Sequence, residues 1–415
     1  MNVFALGWRN LARNRRRTAL SLAIVACGTA ALVVTAGFVR FSFDGLREAM
    51  IHGGLGHLEV AAEEEVERRG VVALDRSPSA ALEGWEALRG ELERLPHVDA
   101  VGANLHLLGL VRRADGAAVS FVGLGVEPDR ELRMAFPTKL RSGRGLAATP
   151  PAPGDEPVLL AAGLARSLGA APGDTVTLLV ARADGMLNAL DARVTGIYTT
   201  GVAELDTRML KLPLASAARL AETSRVSNLV VALDDTSRTA EVAAAVRRAL
   251  AARGDALVVT PWSARAPFYE QVRGLYTGIF RFLGTIVALL VVLAASNTLV
   301  MTVFERLREL GTLRAIGTTP GQIAALLFAE AGELGLAGGA LGALAGWAAV
   351  GGINALGLRL PAPPGAVEEI DLELALVPEA FVGAVVLMVA VLLVAAIVPI
   401  LRATRIAVVD ALGHV

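Results

Sequence analysis

The sequence predicts an α-helical membrane protein with four transmembrane helices, arranged one plus three, and a large α+β extracytoplasmic domain between the first and second spans. Four long apolar stretches are the first reason: Thr18 to Val39, Phe282 to Phe304, Ile323 to Leu358 and Phe381 to Leu401. Each reaches the about 20 apolar residues that cross about 30 Å of hydrocarbon. The second reason is that residues 40–281, between the first stretch and the second, read as ordinary globular sequence. Composition is the third. Hydrophobic residues make up 54% and mean hydropathy is +0.55, high for a soluble protein, yet 19% of residues are charged, too many for a chain lying wholly in lipid.

The expected order is a cytoplasmic amphipathic helix over 1–17, spans at 18–39, 282–304, 323–358 and 381–401, the outer domain with a stalk over 40–281, a cytoplasmic segment at 305–322, a short outer loop at 359–380 and a cytoplasmic tail at 402–415. At the start, Phe4, Trp8 and Leu11 recur at helical spacing with Arg9, Asn10 and Arg13 on other faces. That pattern fits an interfacial helix with its Trp at headgroup level, and equally a basic leader that only sets topology. Arg15, Arg16 and Arg17 followed by Ile24-Val25-Ala26-Cys27 also resemble a lipoprotein signal. The chain stays apolar through Val39, where a lipoprotein carries a polar tether, so an uncleaved span is expected.

Orientation follows from arginine. Arg9, Arg13, Arg15, Arg16 and Arg17 precede the first span, Arg306, Arg308 and Arg314 lie between the second and third, and Arg402 and Arg405 follow the fourth. The positive-inside rule places these regions, and both termini, in the cytoplasm. The loop after the third span has one arginine, Arg359, against Glu368, Glu369, Asp371, Glu373 and Glu379, as expected of the outer side. The large domain shares that side.

The outer domain reads as mixed α and β. Ala81 to Leu95 has helical spacing, with Pro96 as its stop. Leu105 to Arg112 and Ala118 to Val126 flank Ala114-Asp115-Gly116 as a hairpin. A strand is expected at Pro157 to Leu160, a helix at Ala161 to Leu168 closed by Gly169, and a strand at Thr175 to Val180 after the Pro172-Gly173-Asp174 turn. Leu229 to Leu233, Glu241 to Ala252 and Ala256 to Thr260 form a strand, helix, strand unit. Two subdomains are expected, with Ala147 to Pro157 as one connection, and from Pro267 to Arg281 a helical stalk runs into the second span. Cys27 is the only cysteine, so no intrachain disulfide can form and the domain must be held by its own core.

No catalytic residue is assigned. His-Glu-x-x-His and Gly-x-Ser-x-Gly are absent, and His52 and His57, the only neighbouring pair among five histidines, have flexible surroundings and no cysteine, so no metal site is expected. Gly123-x-Gly125 lacks the third glycine of a dinucleotide fingerprint, since Pro128 stands there. Neither of the two lysines, Lys139 and Lys211, follows a glycine, so a phosphate-cradling Gly-Lys-Ser/Thr loop is missing. The chain itself is expected to bind no cofactor; ATP, if used, belongs to a separate protein. The formal net charge of -1 gives no support for a nucleic-acid partner.

The text between the second and third spans is the most specific. Glu305, Arg306, Arg308 and Glu309 form a charged turn in which opposite charges can pair, Gly311 and Gly317 allow bends, and Pro320 suits the start of the next helix. A short charged helix held between two spans can serve as a lever; a topology-setting loop has the same chemistry.

Here a resemblance enters. Glu305-Arg-x-Arg-Glu309-x-Gly311, Arg314-Ala-x-Gly317, Gln322-Ile323, Glu330 and the glycine-rich run Gly335 to Gly346 resemble the C-terminal signature of the FtsX-like permeases, membrane subunits of type VII (MacB-like) ABC systems. The opening Trp8-Arg9-Asn10-Leu11-x-Arg13-Asn14 and the closing Arg402-Ala403-x-Arg405-Ile406 resemble the same family, although the proline usual before the final Ala411-Leu412 is missing. Ser142-Gly143-Arg144, Gly173-Asp174-x-Val176 and Gly196-Ile197 are similar to its periplasmic domain. Gly56-His57-Leu58-Glu59-Val60 and the region Gly201 to Leu220 look most like the lipoprotein-releasing (LolC/LolE-type) branch. The resemblance implies a bacterial inner-membrane protein working with a pair of separate ABC ATPase subunits that bind ATP and Mg, and with a second permease copy or paralogue. It further implies mechanotransmission through Glu305, Arg306, Arg308, Glu309, Gly311, Arg314 and Gly317, lipid or lipoprotein cargo, and a periplasmic carrier or adaptor. A MacB-like exporter and a regulator of a periplasmic enzyme are the alternatives.

In the third span Gly338, Gly342 and Gly346 repeat every four residues, as do Gly335 and Gly339, giving one small-residue face for close helix approach, within the subunit or between subunits. Glu330 and Glu333 sit near its start, where a helix N-terminus favours carboxylates and deep lipid does not. Asn297 in the second span is expected to make an interhelical hydrogen bond.

Overall fold

The computed structural model describes residues 15–63, 82–114, 116–134, 139–147, 156–182, 185–200, 203–253, 256–360 and 370–405. Residues 1–14 of the helix expected over 1–17 and most of the 402–415 tail therefore lie outside the described residues, as do residues 361–369 of the loop at 359–380. The chain divides into two compact units. One comprises Met1–Asp44, Gln271–Leu360 and Asp371–Val415; the other comprises Gly45–Glu270 and Pro361–Ile370.

Hydropathy marks where lipid would end, whereas a helix ends where its backbone hydrogen bonds end, and the two differ here. Helix α1 spans Arg15–Met50, running well past Val39 on polar turns joined by the Arg40–Asp44 pair at 2.6 Å. A kinked π-turn, Ile51–Leu55, follows, with Gly54 at φ 116. In the second unit come β1 (Leu58–Ala62), α2 (Trp85–Leu92), β2 (Val98–Arg113), β3 (Val119–Val126), α3 (Pro128–Arg133), β4 (Lys139–Gly143), β5 (Glu156–Ala161), α4 (Ala162–Leu168), β6 (Thr175–Ala181), β7 (Leu187–Thr199), α5 (Ala203–Asp206), β8 (Met209–Pro213), α6 (Leu214–Ala221), β9 (Asn228–Leu233), α7 (Thr239–Arg253), β10 (Leu257–Pro261) and α8 (Trp262–Arg265). The remaining helices are α9 (Pro267–Glu305), the short α10 (Leu307–Ala315), α11 (Pro320–Ala355) and α12 (Pro378–Arg405).

The strands of the second unit join in the order β10-β1-β9-β2-β3-β8-β5-β7-β4, with β6 pairing β2 and β7. The 16-residue strand β2 organises the sheet. Its first half pairs β9 from Val98 to Asn104, its second pairs β3 from Leu105 to Val111, and Gly109 to Arg113 also pair β6. A Cβ on Gly109 would lie 2.1 Å from the Leu179 carbonyl oxygen, so only glycine lets β6 close on β2 there. Two hydrophobic clusters follow from this division. One gathers Leu105, Phe121, Leu160, Leu178, Leu210 and Leu220; the other gathers Leu58, Trp85, Leu92, Val101, Val231 and Val246. The connection expected at Ala147 to Pro157 falls almost wholly outside the described residues, and the shared strand is what links the two cores.

Strands at 118–126, 157–160, 175–180, 229–233 and 256–260 and the helices at 161–168 and 241–252 appear within a few residues of expectation, whereas the strand expected at 105–112 begins seven residues earlier, at Val98. The helix expected over Ala81 to Leu95 is shorter. Leu82 bridges Val226 instead, and Gly84, at φ 62, precedes the first helical residue. Strand β7 went unrecognised because Ala189, Asp191, Arg193 and Thr195 put small and charged side chains where a strand reading wants large apolar ones.

In the long-helix unit α12 continues through Pro399. Proline has no N–H, so the carbonyl of Ala395, four residues earlier, loses its helical donor. Ser296 Oγ on α9 donates to that carbonyl at 2.8 Å. The expected bond from Asn297 does not form: its side chain is exposed, and the interhelical bond comes from the residue before it.

The glycines of α11 face two ways rather than one. Cβ atoms on Gly338, Gly342 and Gly346 would meet Val25, Ala26 with Thr29, and Val33 of α1, within 2.5–2.9 Å. On Gly335 and Gly339 they would meet Val389 and Val385 of α12 at 3.0–3.2 Å. A spacing of three separates the two rows around the helix, which a strict four-residue reading merges.

Candidate functional site

The site is the turn, short helix and turn between α9 and α11. Helix α9 ends at Glu305, and Arg306, at φ -101 and ψ 11, breaks it. Helix α10 then buries Leu307, Leu310 and Gly311, with Leu310 in a cluster containing Val303, Ile323, Leu327, Ala331, Ile400 and Ala403. Its other side leaves Arg308, Thr312, Ala315 and Ile316 exposed, Ile316 at 75%. This is an amphipathic helix with its apolar side fixed and its outer side open.

Return into α11 is equally determined. Gly317 takes φ 101, a left-handed conformation that suits glycine. The Thr319 hydroxyl accepts from the Gln322 N–H, the Gln322 side chain accepts from the Thr319 N–H, and Pro320 occupies the first turn. This capping box fixes where α11 begins.

Arg306 is the corner piece. Its Nη1 donates to both Glu330 oxygens at 2.9 and 3.0 Å, and its Nε donates to Glu309 at 3.1 Å. Side-chain exposure is 13% for Arg306 and 8% for Glu330, so this pair joins the start of α10 to α11 and is not offered to solvent. The bend expected from sequence at Gly311 does not occur; Gly311 lies inside α10 and is buried. The charged turn thus divides. Glu305 and Arg308 are exposed, Arg306 faces inward, and Glu309 and Arg314 are half-buried. Thr312 and Ile316 complete the exposed face, and sequence reading missed them because nothing in an isolated Ile shows that it lies outside a packed helix.

The histidine pair has a structural explanation. His57 Nδ1 accepts the Leu233 N–H at 3.1 Å, so Nε2 carries the hydrogen and donates to Thr236 Oγ1 at 3.0 Å, which in turn donates to Glu48 at 3.2 Å. His52 Nε2 lies 3.3 Å from Glu48. Burial holds the His57 imidazole below its ordinary pKa, against the raising effect of Glu48. Nearby, buried Glu59 on β1 pairs with Arg265 Nε at 2.6 Å and accepts from Asn228, while Arg265 Nη1 donates to the Leu55 carbonyl at 3.0 Å. Among the described residues no group of three metal-capable side chains converges.

Among the described residues four helices are long and apolar enough to cross a membrane, one before the sheet domain in the chain and three after it. Residues 18–249 match the MacB-like periplasmic core domain, and residues 281–408 match the FtsX-like permease C-terminal domain. The chain belongs to the FtsX-like, MacB-type (type VII) permeases of ABC transporters. The lipoprotein-releasing system transmembrane protein LolC of Neisseria meningitidis serogroup B is 25% identical over 348 residues, 80% of this chain and 77% of that protein. The periplasmic region of MacB from Actinobacillus actinomycetemcomitans aligns at TM-score 0.37 with 14% identity, over 53% of this chain and 95% of that one. The extracellular domain of the Gram-positive transporter YknZ aligns at TM-score 0.35 with 14% identity, over 49% and 98%.

Proposed function

We propose that this permease crosses a bacterial inner membrane four times, with both termini and α10 in the cytoplasm and the sheet domain in the periplasm. A separate pair of ATPase subunits binds ATP and Mg and docks on the exposed side of α10, at Arg308, Thr312, Ala315 and Ile316. The observation that carries this reading is the construction of α10. Its inner side is packed, its corner is held by Arg306, Glu309 and Glu330, and its exit is capped, so a push on its outer side moves α9 and α11 together. Arginines at the cytoplasmic ends support the orientation.

The work done outside is extraction of lipoprotein or a similar amphiphile, delivered to a periplasmic carrier; likeness to LolC over 80% of the chain supports it. Export of peptides or toxic amphiphiles through an adaptor is the second reading, favoured by the match to the MacB-like core domain. Both assign the same role to α10. Affinity purification of the tagged permease tests it: Ile316→Asp and Arg308→Glu are expected to lower ATPase copurification at least tenfold without lowering permease yield. Unchanged copurification in both would overturn the docking assignment. Photocrosslinking from the sheet domain to a soluble carrier or to an adaptor separates the two cargo readings.

A further inference from the structure

Both ends of Gly45–Glu270, the main segment of the second unit, come together in one joint. Ile51 of the π-turn is buried in a cluster with Trp262 of α8, Ala266 and Tyr269, the two large rings lying edge to face at 4.9 Å. The Trp262 N–H donates to the His57 carbonyl at 3.0 Å. Beside this apolar part runs a chain of polar bonds. His57 Nδ1 accepts from Leu233 N–H, its Nε2 donates to Thr236, and Thr236 donates to Glu48 in the last turn of α1, where Arg47 and His52 also hold Glu48 at 3.0 and 3.3 Å. One imidazole therefore ties α1 to the loop between β9 and α7, and only its neutral form can accept at one nitrogen while donating at the other. A second proton would set the Nδ1 hydrogen against the Leu233 N–H, two donors facing each other across 3.1 Å. Glu48 and Asp234 face the ring and favour that proton, whereas Arg47 and His52 oppose it. Asp234 is also engaged by His97 at 3.0 Å, and His97 by Arg238 at 2.9 Å. The one charged side chain of β1, Glu59, pairs with the one of α8, Arg265. Burial decides the balance and holds His57 neutral.

We propose that His57 is a proton-operated latch: acid releases the last turn of α1 from the loop between β9 and α7 while both hydrophobic cores stay folded, so the joint is stiff at neutral pH and loose in acid. Histidine suits this task because its charge changes between about pH 5 and pH 8. Leu233 and Thr236 stand three residues apart, so a shift of the first strains the bond that the second makes to α1. The latch itself follows from the bonds of the joint. That its proton comes from the medium outside the cell rests on the membrane reading given above, which puts the sheet domain on that side.

The test is amide hydrogen exchange of the purified full chain in detergent from pH 7.5 to pH 4.5, corrected for the pH dependence of intrinsic exchange and read in peptides covering 45–57 and 231–239. Protection there should fall by about tenfold for each pH unit below about 6.5, until the folded value of His57 is reached, while β5 and β7 in the other core keep theirs. His57→Gln, which donates and accepts without titrating, should remove the pH dependence. Glu48→Gln still accepts from Thr236 but no longer favours the proton, so the loss should move to lower pH; a histidine that serves packing alone would not respond. Thr236→Val should lower protection of 45–52 at pH 7.5 about threefold to tenfold, the worth of one hydrogen bond, and spare Leu233. Protection of 45–57 that is constant with pH, that falls equally in His57→Gln, or that falls together with β5 and β7 would overturn the latch. Loss of ATPase copurification at pH 7.5 would count against the permease reading instead, and would leave the exchange result standing.

Discussion

Single side chains carry the sharpest expectations. His57 is buried and neutral, and its folded pKa lies below its ordinary value of 6.5. The unfolded chain therefore binds a proton that the folded chain resists. Its contribution to stability is complete above about pH 6.5 and is lost as pH falls from there through the folded value. Thermal unfolding of the purified chain between pH 7.5 and pH 4.5 should show that loss, and His57→Gln should flatten it. Arg306 makes a second case. Removing one member of a buried pair strands the other, at a cost of about 3–5 kcal/mol, whereas replacing both can be nearly neutral. Arg306→Met alone should lower the melting temperature and raise protease sensitivity at the α10 corner, and Arg306→Met with Glu330→Met should recover most of both. The charges of this segment were legible in the sequence, but their division was not. Arg306 and Arg308 are two residues apart and chemically alike; only the break after Glu305 turns one inward and leaves the other outside.

Elements were more legible than their contacts. The apolar stretches located all four long helices, because about 20 apolar residues in a row have few other uses, but not their lengths, since α1 and α9 continue on polar turns. Glycines of α11 were visible as a spacing, while the assignment of one row to α1 and another to α12 needed the partners. Gly342→Val should destabilise the helix unit by about 1–3 kcal/mol through overpacking, because its Cβ would sit 2.5 Å from the Ala26 carbonyl oxygen and the Thr29 Cβ. Gly352→Val, with nothing within 4 Å, should cost little and serves as the control in a detergent melting assay. Ser296 and Pro399 form a coupled pair that neither local sequence discloses. Ser296→Ala leaves the Ala395 carbonyl without a donor and should cost about 1–3 kcal/mol; in a Pro399→Ala background, where the helix supplies its own N–H, the same change should cost much less. Equal costs in both backgrounds would remove this account of the bond.

At the scale of the whole molecule, the order of helix, insert and three helices was readable from hydropathy alone, and family membership from short motifs spread along the chain. Sheet order was not readable: β1 pairs with β9 and β10, strands far along the chain from it, and nothing local announces such partners. For the assembled transporter, replacing Gly317 by alanine in its open surroundings tests whether the return from α10 must be turned sharply. The φ of 101 strains any side chain even without a clash, so Gly317→Ala should leave ATPase copurification largely intact and lower stimulated ATP turnover. Full turnover in that variant would show that the lever tolerates a looser corner.

Strand β2 has a mechanical meaning. Because one unbroken strand runs through both cores, any load that tends to separate them acts along its hydrogen-bond ladders, which must slip together in shear and cannot open one bond at a time. The sheet domain should then behave as a stiff plate with no hinge at Asn104 and Leu105, and in a single-molecule pulling experiment it should yield in one step.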